Sequence, residues 1–377
     1  MHRRRFRKTV VAILLILLGT ELCLRLLPVG FVDLSPENLI NVAVVYEANG
    51  LLQNRMQPNQ SPRVSPNRNG ADPVNPVIYN INNRGYRGEN LAIPKPDNTI
   101  RVATIGGSAV FDIRNNDGED WTSLTGDQLM PPQDSQIQMV NAAQAGFNSA
   151  QSLAKIVGDL WVYEPDIVLI SHCWNDIKYF TRYTTDRTQI IRADRKELRK
   201  DPRLNYANPI DWLLGRSWLY SALRYFSIEA NINITLEGAL TPEESTTPTE
   251  HHIQPLALQQ FRINMISAVQ SIRTIGAEPV LMLQPRLPVA TNEDEAGEFI
   301  GYSSARLNHE QLVQAFDECD RIMRDIAHDL DVILIDETAI MNGNLEYFND
   351  HVHTTTIGSR TLADKIAPAI QDIIDDG

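Results

Sequence analysis

Four short stretches hold the side chains able to do chemistry. Ser108 follows Gly106-Gly107 at the end of the β-branched run 100–105, and Gly146 stands in Ala-Gly-Phe-Asn after the apolar run 137–143. Asn175 and Asp176 close the run 166–171 through His172-Cys173-Trp174, and Asp350 and His353 stand three apart in Asn-Asp-His-Val-His. Acyl transfer from an ester needs a nucleophilic hydroxyl, a base to take its proton, a carboxylate to orient the base and donors for the oxyanion. These four stretches can fill all four roles. Each is weak alone: Gly-Gly-Ser is common in ordinary turns, and Val110 stands where Gly-x-Ser-x-Gly needs its last glycine. The phosphate-cradling patterns Gly-x-Gly-x-x-Gly and Gly-Lys-Ser/Thr are absent from this stretch.

Other readings stand beside the chemical one. Asn175 is also suited to capping the following helix, and Asp176 is a better candidate for that capping than for catalysis. His351 and His353 at strand spacing beside Asp350 suggest a metal site, but no third nitrogen or thiolate ligand lies nearby in the sequence. The pair His251-His252 reads as solvated loop.

The four stretches are useful only if the fold brings them together. Runs 100–105, 137–143, 166–171, 279–284 and 331–336 read as strands, short, apolar and bounded by turn residues. Between them lie helical patterns: 121–129; Ala150, Leu153, Val157 and Leu160; Leu258, Phe261, Met265, Val269 and Ile272; Leu312, Phe316, Cys319, Met323 and Ile326. A last helix over 357–374 carries Pro368, where a kink is expected. This alternation predicts a three-layer α/β/α sandwich with a five-stranded parallel sheet of the flavodoxin-like kind. In such a sheet every strand points its C-terminal end at one rim, where ligands bind. Residues 79–88, polar but aromatic and glycine-punctuated, should pack as an ordered loop on this domain.

Three cysteines in 377 residues are too few and too scattered for a disulfide framework. Cys173 and Cys319 read as buried thiols, with a single bridge between them as the alternative. The net charge is −13 although Arg3, Arg4, Arg5, Arg7 and Lys8 are all basic, so the rest of the chain is more acidic still. That balance argues against nucleic-acid binding.

A basic start followed by an apolar run over residues 9–20 has the layout of an export signal. No small-x-small cleavage site follows, and the reading is an uncleaved signal anchor over 1–30, with a cleaved signal peptide as the alternative. Glu21 and Arg25, four apart, are expected to pair near the far interface and carry the span to about Pro28. The basic end belongs in the cytoplasm and the rest outside, in the periplasm or on the cell surface. Residues 31–78 read as a stalk or irregular lead-in, and 79–377 as the catalytic domain. An insertion at about 178–255 interrupts that domain; it is partly helical around 212–226, contains a mobile loop at 241–250 and could form a lid.

The order Ser108, Gly146, Asn175, then Asp350-x-x-His353 resembles the GDSL/SGNH hydrolase family, whose four sequence blocks carry Ser, Gly, Asn and Asp-x-x-His in that order. The resemblance extends from about residue 80 to the C-terminus, and Arg84-Gly-Tyr-Arg-Gly88 is similar to the membrane-anchored branch. It implies Ser108 as nucleophile, His353 as base and Asp350 as its orienting carboxylate. It also implies an oxyanion hole from the backbone N–H groups of Ser108 and Gly146 and the Asn175 amide. Two positions depart from the family: Gly107 replaces its usual Asp, and Cys173 replaces a Gly, which puts the pose of Asn175 in question.

The implied activity is hydrolysis of small O-acetyl-like esters on cell-envelope carbohydrate or lipid, with no cofactor and no metal. The alternatives are an O-acyltransferase passing the acyl group to a sugar hydroxyl, and a non-catalytic module that binds carbohydrate or a partner protein.

Overall fold

The computed structural model describes residues 2–26, 46–49, 53–56, 58–59, 61, 63–64, 77–181, 209–224, 226 and 252–376. They belong to two compact units: 1–45, 62–76 and 192–247 form one, and 46–61, 77–191 and 248–377 the other. The loop expected at 241–250, His251 and most of the lead-in and insertion lie outside the described residues.

The larger unit is built on five parallel strands: β1 (Thr99–Gly106), β2 (Gln136–Asn141), β3 (Ile167–Ser171), β4 (Glu278–Met282) and β5 (Ile333–Ile335). Their order across the sheet is β2-β1-β3-β4-β5. β1 and β3 lie inside the sheet with nearly every residue buried, which is why neither reads as an alternating strand; β3 is an unbroken apolar run up to Ser171, and β1 is interrupted by Arg101 and Thr104. The chain leaves β1 toward one side of the sheet and β3 toward the other, so the crevice for a ligand opens between the C-terminal ends of β1 and β3.

Helices cover both faces. α2 (Trp121–Gln128) packs against α7 (Thr356–Asp376), while α3 (Ser149–Gly158), α5 (Pro255–Thr274) and α6 (His309–Leu330) pack together. Right-handed crossovers from this strand order put the first pair and the second group on opposite faces. α3 and α6 each start in a capping box, on Asn148 with Gln151 and on Asn308 with Gln311. The short helix α4 (Trp174–Phe180) follows β3 directly.

Four strands are shorter than the sequence suggested, β3 by its first residue alone. β2 ends at Asn141, although the Ala142 N–H still reaches the Thr104 carbonyl of β1. β4 stops before Gln284, and β5, on the sheet edge, has only β4 to pair with. Residues 79–88 do pack as ordered loop: Tyr79, Ile81 and Tyr86 are buried, and the Tyr79 ring meets the Phe111 ring edge-on at 5.0 Å. Ahead of it, Tyr46–Asn49 and Gln53–Met56 pair as a small antiparallel hairpin.

In the smaller unit, α1 (His2–Leu26) contains twenty residues, Arg7–Leu26, that are long and apolar enough to cross a membrane. The expected pair forms, with Arg25 Nη2 2.7 Å from Glu21 Oε1. The helix expected around 212–226 is broken at 215–217 into Pro209–Leu214 and a second helical stretch, 218–224.

Candidate active site

β1 runs into Gly106-Gly107, and Ser108 begins a single helical turn, Ser108–Phe111. Both glycines are there for space. A Cβ on Gly106 would strike the Val110 side chain and the Ser171 carbonyl; one on Gly107 would strike the Asn175 amide and the Phe147 carbonyl. The loops after β2 and β3 therefore close directly onto the residue before Ser108, and the departure from the family's Asp at 107 is required by this packing.

The loop before α7 brings the imidazole to the hydroxyl. His353 Nε2 lies 2.8 Å from Ser108 Oγ, and Nδ1 lies 2.7 and 2.8 Å from the two carboxylate oxygens of Asp350. Asp350 also accepts the backbone N–H groups of Val352 and His353 at 3.2 and 3.1 Å. Burial pushes the Asp350 carboxyl up, but the facing His353 imidazole, with His351 and the Val352 amide behind it, outweighs burial and holds it well below the usual carboxylate range. A carboxylate without a proton can only accept, so Nδ1–H donates to it and Nε2 presents its lone pair to the Ser108 O–H. His353 thus spends both ring nitrogens on Asp350 and Ser108, while His351 lies against the Trp174 ring.

Asn175 is the second residue of α4 and does not cap it; Cys173 occupies that position without a side-chain bond. Its φ of −173° lies outside the left-handed region that favours glycine. Asn175 Nδ2 donates to the Phe147 carbonyl at 2.8 Å, and Lys178 Nζ donates to Asn175 Oδ1 at 2.8 Å. With its oxygen on the ammonium, the amide keeps its nitrogen toward Gly107, and one N–H remains beyond the bond to Phe147. Gly146 has φ +87°, in the left-handed region that favours glycine. Its turn is pinned on both sides, by the Gln144 N–H on the Gly106 carbonyl and by Phe147 against Gly107.

Asp176, expected to cap α4, instead reaches the start of α3. It accepts from the Ser149 N–H at 3.1 Å and the Ser149 hydroxyl at 2.5 Å, and Asn264 of α5 donates to the same hydroxyl. Burial pushes its carboxyl up to about 7, against the Ser149 hydrogen bonds. His172 lies 3.8 Å away, but burial lowers its pKa to about 3, so the contact is no ion pair at neutral pH. This junction ties the Gly146 turn to the Asn175 turn. Gln284, just past β4, fastens the same turn by accepting the Trp174 N–H at 2.8 Å.

The Ser108 turn is held to the histidine loop in a similar way. Asp112 accepts from Ser359, Thr354 and Asn115 side chains at 2.5, 3.0 and 2.8 Å, and Asn115 donates to the Thr354 carbonyl. Arg87, buried beneath that turn, donates to the carbonyls of Phe111, Asp112 and Asn115, each at 2.8 Å. The sequence singled out the stretch containing Arg87 but gave it no task, and it offered no sign of the roles of Asp112 or Lys178. Cys173 and Cys319 are both buried free thiols, as the sequence suggested.

No family model matches the chain, and no curated protein matches it. Among solved structures, the chain is similar to an acetyl xylan esterase, AlAXEase, at 15% identity and TM-score 0.41, covering 72% of this chain and 100% of that one. It is similar to TesA with the same identity and TM-score, over 72% of this chain and 98% of that one. The psychrotrophic esterase EstA from Pseudoalteromonas sp. aligns at 15% identity and TM-score 0.40, over 74% of this chain and 100% of that one. Likeness at this level has no weight beside the geometry of the residues themselves.

Proposed function

We propose that this chain is a serine hydrolase of the GDSL/SGNH kind that cleaves small acyl esters through an acyl-enzyme. The observation that carries the reading is the unbroken hydrogen-bonded series from Ser108 through His353 to Asp350 on the rim of a parallel sheet. In the first step Ser108 Oγ attacks the ester carbonyl as its proton passes to His353 Nε2, and Asp350 stabilises the imidazolium. The N–H groups of Ser108, Gly146 and Asn175 take the oxyanion. The tetrahedral species collapses, the imidazolium protonates the departing alkoxide, and the alcohol leaves. Water repeats the sequence on the acyl-enzyme and releases the acid.

The substrate class in this reading is an O-acetyl-like ester on cell-envelope carbohydrate or lipid. α1 acts as a retained signal anchor that holds the rest of the chain outside the cytoplasm. Its span and basic start support this placement.

The test is fluorophosphonate labelling of the full chain in detergent, with the modified residue located by mass spectrometry. Label on Ser108 that disappears in Ser108→Ala is the expected result. Label elsewhere, or none on folded protein that also turns over no acetyl ester, overturns the reading.

Two further results are expected. Asn175→Ala should lower kcat for p-nitrophenyl acetate by about 10²- to 10³-fold with little change in KM, because the donor acts on charge that develops only in the transition state. Asp176→Asn should change how stability depends on pH. The native Asp176 carboxyl keeps its proton up to about 7, whereas the unfolded chain releases it near 3.8. Between those values the native state binds more protons, so this group's contribution to stability falls as pH rises through that window. Urea unfolding at both ends of the window should show the wild type losing stability relative to the variant as pH rises; parallel behaviour would contradict the burial argument.

A further inference from the structure

The helix 218–224 begins on a side chain of α1. Glu21 accepts the backbone N–H groups of Trp218 and Leu219 at 3.1 and 2.9 Å and the Ser217 hydroxyl at 2.8 Å, while Ser217 Oγ accepts the Tyr220 N–H at 3.2 Å. Arg25 closes the group, donating to Glu21 through Nε and Nη2 at 2.9 and 2.7 Å and to the Arg216 carbonyl at 3.4 Å. A helix start leaves its first N–H groups without partners inside the helix, and here α1 supplies the acceptor for two of them. Conversely, a carboxylate in an apolar helix is costly unless it is paired, and Glu21 has a guanidinium, a hydroxyl and two amides.

The same segment carries large apolar side chains in the open: Leu213 is 71% exposed, Leu214 44% and Leu223 61%. They sit beside the end of a helix whose own apolar side chains are bare along its length, Leu15 at 62% and Leu18 at 67%. Glu21 is five residues from the end of α1, about 8 Å along its axis, which is the depth of an interfacial helix below the headgroups. Arg25, half exposed in its side chain, marks the headgroup level, where a guanidinium can reach water.

From this we propose that residues 209–224 form a membrane-interface element docked on the outer end of α1, with Leu213, Leu214 and Leu223 in the lipid and Glu21 as the link between the two. The occupant of the apolar surface is the bilayer that surrounds α1, because the bonds to Glu21 and Arg25 hold this segment on the end of that helix. The proposal rests on α1 being a retained anchor; a signal peptide cut away would take the Glu21 cap with it. The insertion then ties the chain to the membrane a second time, between α4 and α5.

The experiment uses the full chain in phosphatidylcholine vesicles, in a Cys23→Ser background, since Cys173 and Cys319 are buried. Spin labels are placed singly through Leu15→Cys, Leu213→Cys, Leu223→Cys and, on the exposed start of α6, Glu310→Cys. Collision with oxygen, which dissolves in lipid, is compared with collision with a nickel chelate, which stays in water. Oxygen is expected to dominate at 15, 213 and 223 and nickel at 310. Nickel dominating at 223 with oxygen dominating at 15 overturns the docking and leaves the anchor intact. Nickel dominating at 15 overturns the anchor and the docking with it. Adding Glu21→Ala to the Leu223→Cys chain should move that label toward water, and an unmoved label overturns the part given to Glu21.

Discussion

Alanine at Ser108 is expected to lower kcat for acetyl esters by about 10⁶-fold, alanine at His353 by a similar factor, and the two together by no more than either alone. The reason lies in the 2.8 Å contact between His353 Nε2 and Ser108 Oγ. A base has nothing to activate without the hydroxyl, and a hydroxyl at its ordinary pKa is a poor nucleophile without the base. Asp350→Asn belongs to the same cycle with a smaller loss, about 10⁴-fold. An amide can donate to Nδ1, which would put the ring proton on Nε2 and turn the acceptor of the Ser108 proton into a donor. Because Asp350 is held well below the usual carboxylate range, its protonation should not limit activity above about pH 4. The measurement is single-turnover kinetics with p-nitrophenyl acetate on the three single variants and the double variant. Losses at 108 and 353 that multiply would mean that the two residues act independently, and the proposed mechanism would fall.

The parts of this site that were legible in the sequence are those written in local pattern. β1 and β3 lack the alternation of a half-exposed strand because both their faces are covered, and each ends abruptly at the rim, so Ser108 and Asn175 could be placed from their neighbours alone. Asp350 and His353 lie three apart in a single loop, and their contact is local as well. What the sequence could not show is how the rim loops are fastened to one another. Asp176 meets Ser149 across 27 positions, and Trp174 meets Gln284 across 110. Nothing near Asp176 in the chain says that its partner is the start of α3 rather than of its own helix. Gly107 shows the same gap from the other side: it looked like a departure from a family pattern until the Asn175 amide and the Phe147 carbonyl were seen to fill the space its side chain would need.

Arg87 is the most consequential of the residues that local pattern could not explain, and its removal should have the largest effect on stability. Its side chain is 1% exposed and forms ion pairs with Asp117 at 3.1 Å and Asp120 at 3.5 Å. Nη1 donates to the carbonyls of Phe111 and Asp112, and Nη2 also donates to that of Asn115, where the helical turn that starts at Ser108 comes to an end. Arg87→Met keeps much of the stem that lies beside Tyr79 and Phe111 but takes the facing cation from the buried Asp120 carboxylate and one donor from each of the three carbonyls. Breaking a buried ion pair from one side typically costs about 3 to 5 kcal/mol, so urea unfolding should show a loss of that size. Arg87→Lys should fall between the two, since an ammonium restores the charge but cannot span several acceptors with a planar fork. The carbonyls in question close the turn that carries the nucleophile, so the fraction of Arg87→Met that remains folded should also show reduced kcat at unchanged KM. If the variant instead keeps wild-type stability and turnover, the guanidinium does not hold the Ser108 turn, and that turn is held from the other side by Asp112 with Ser359 and Thr354.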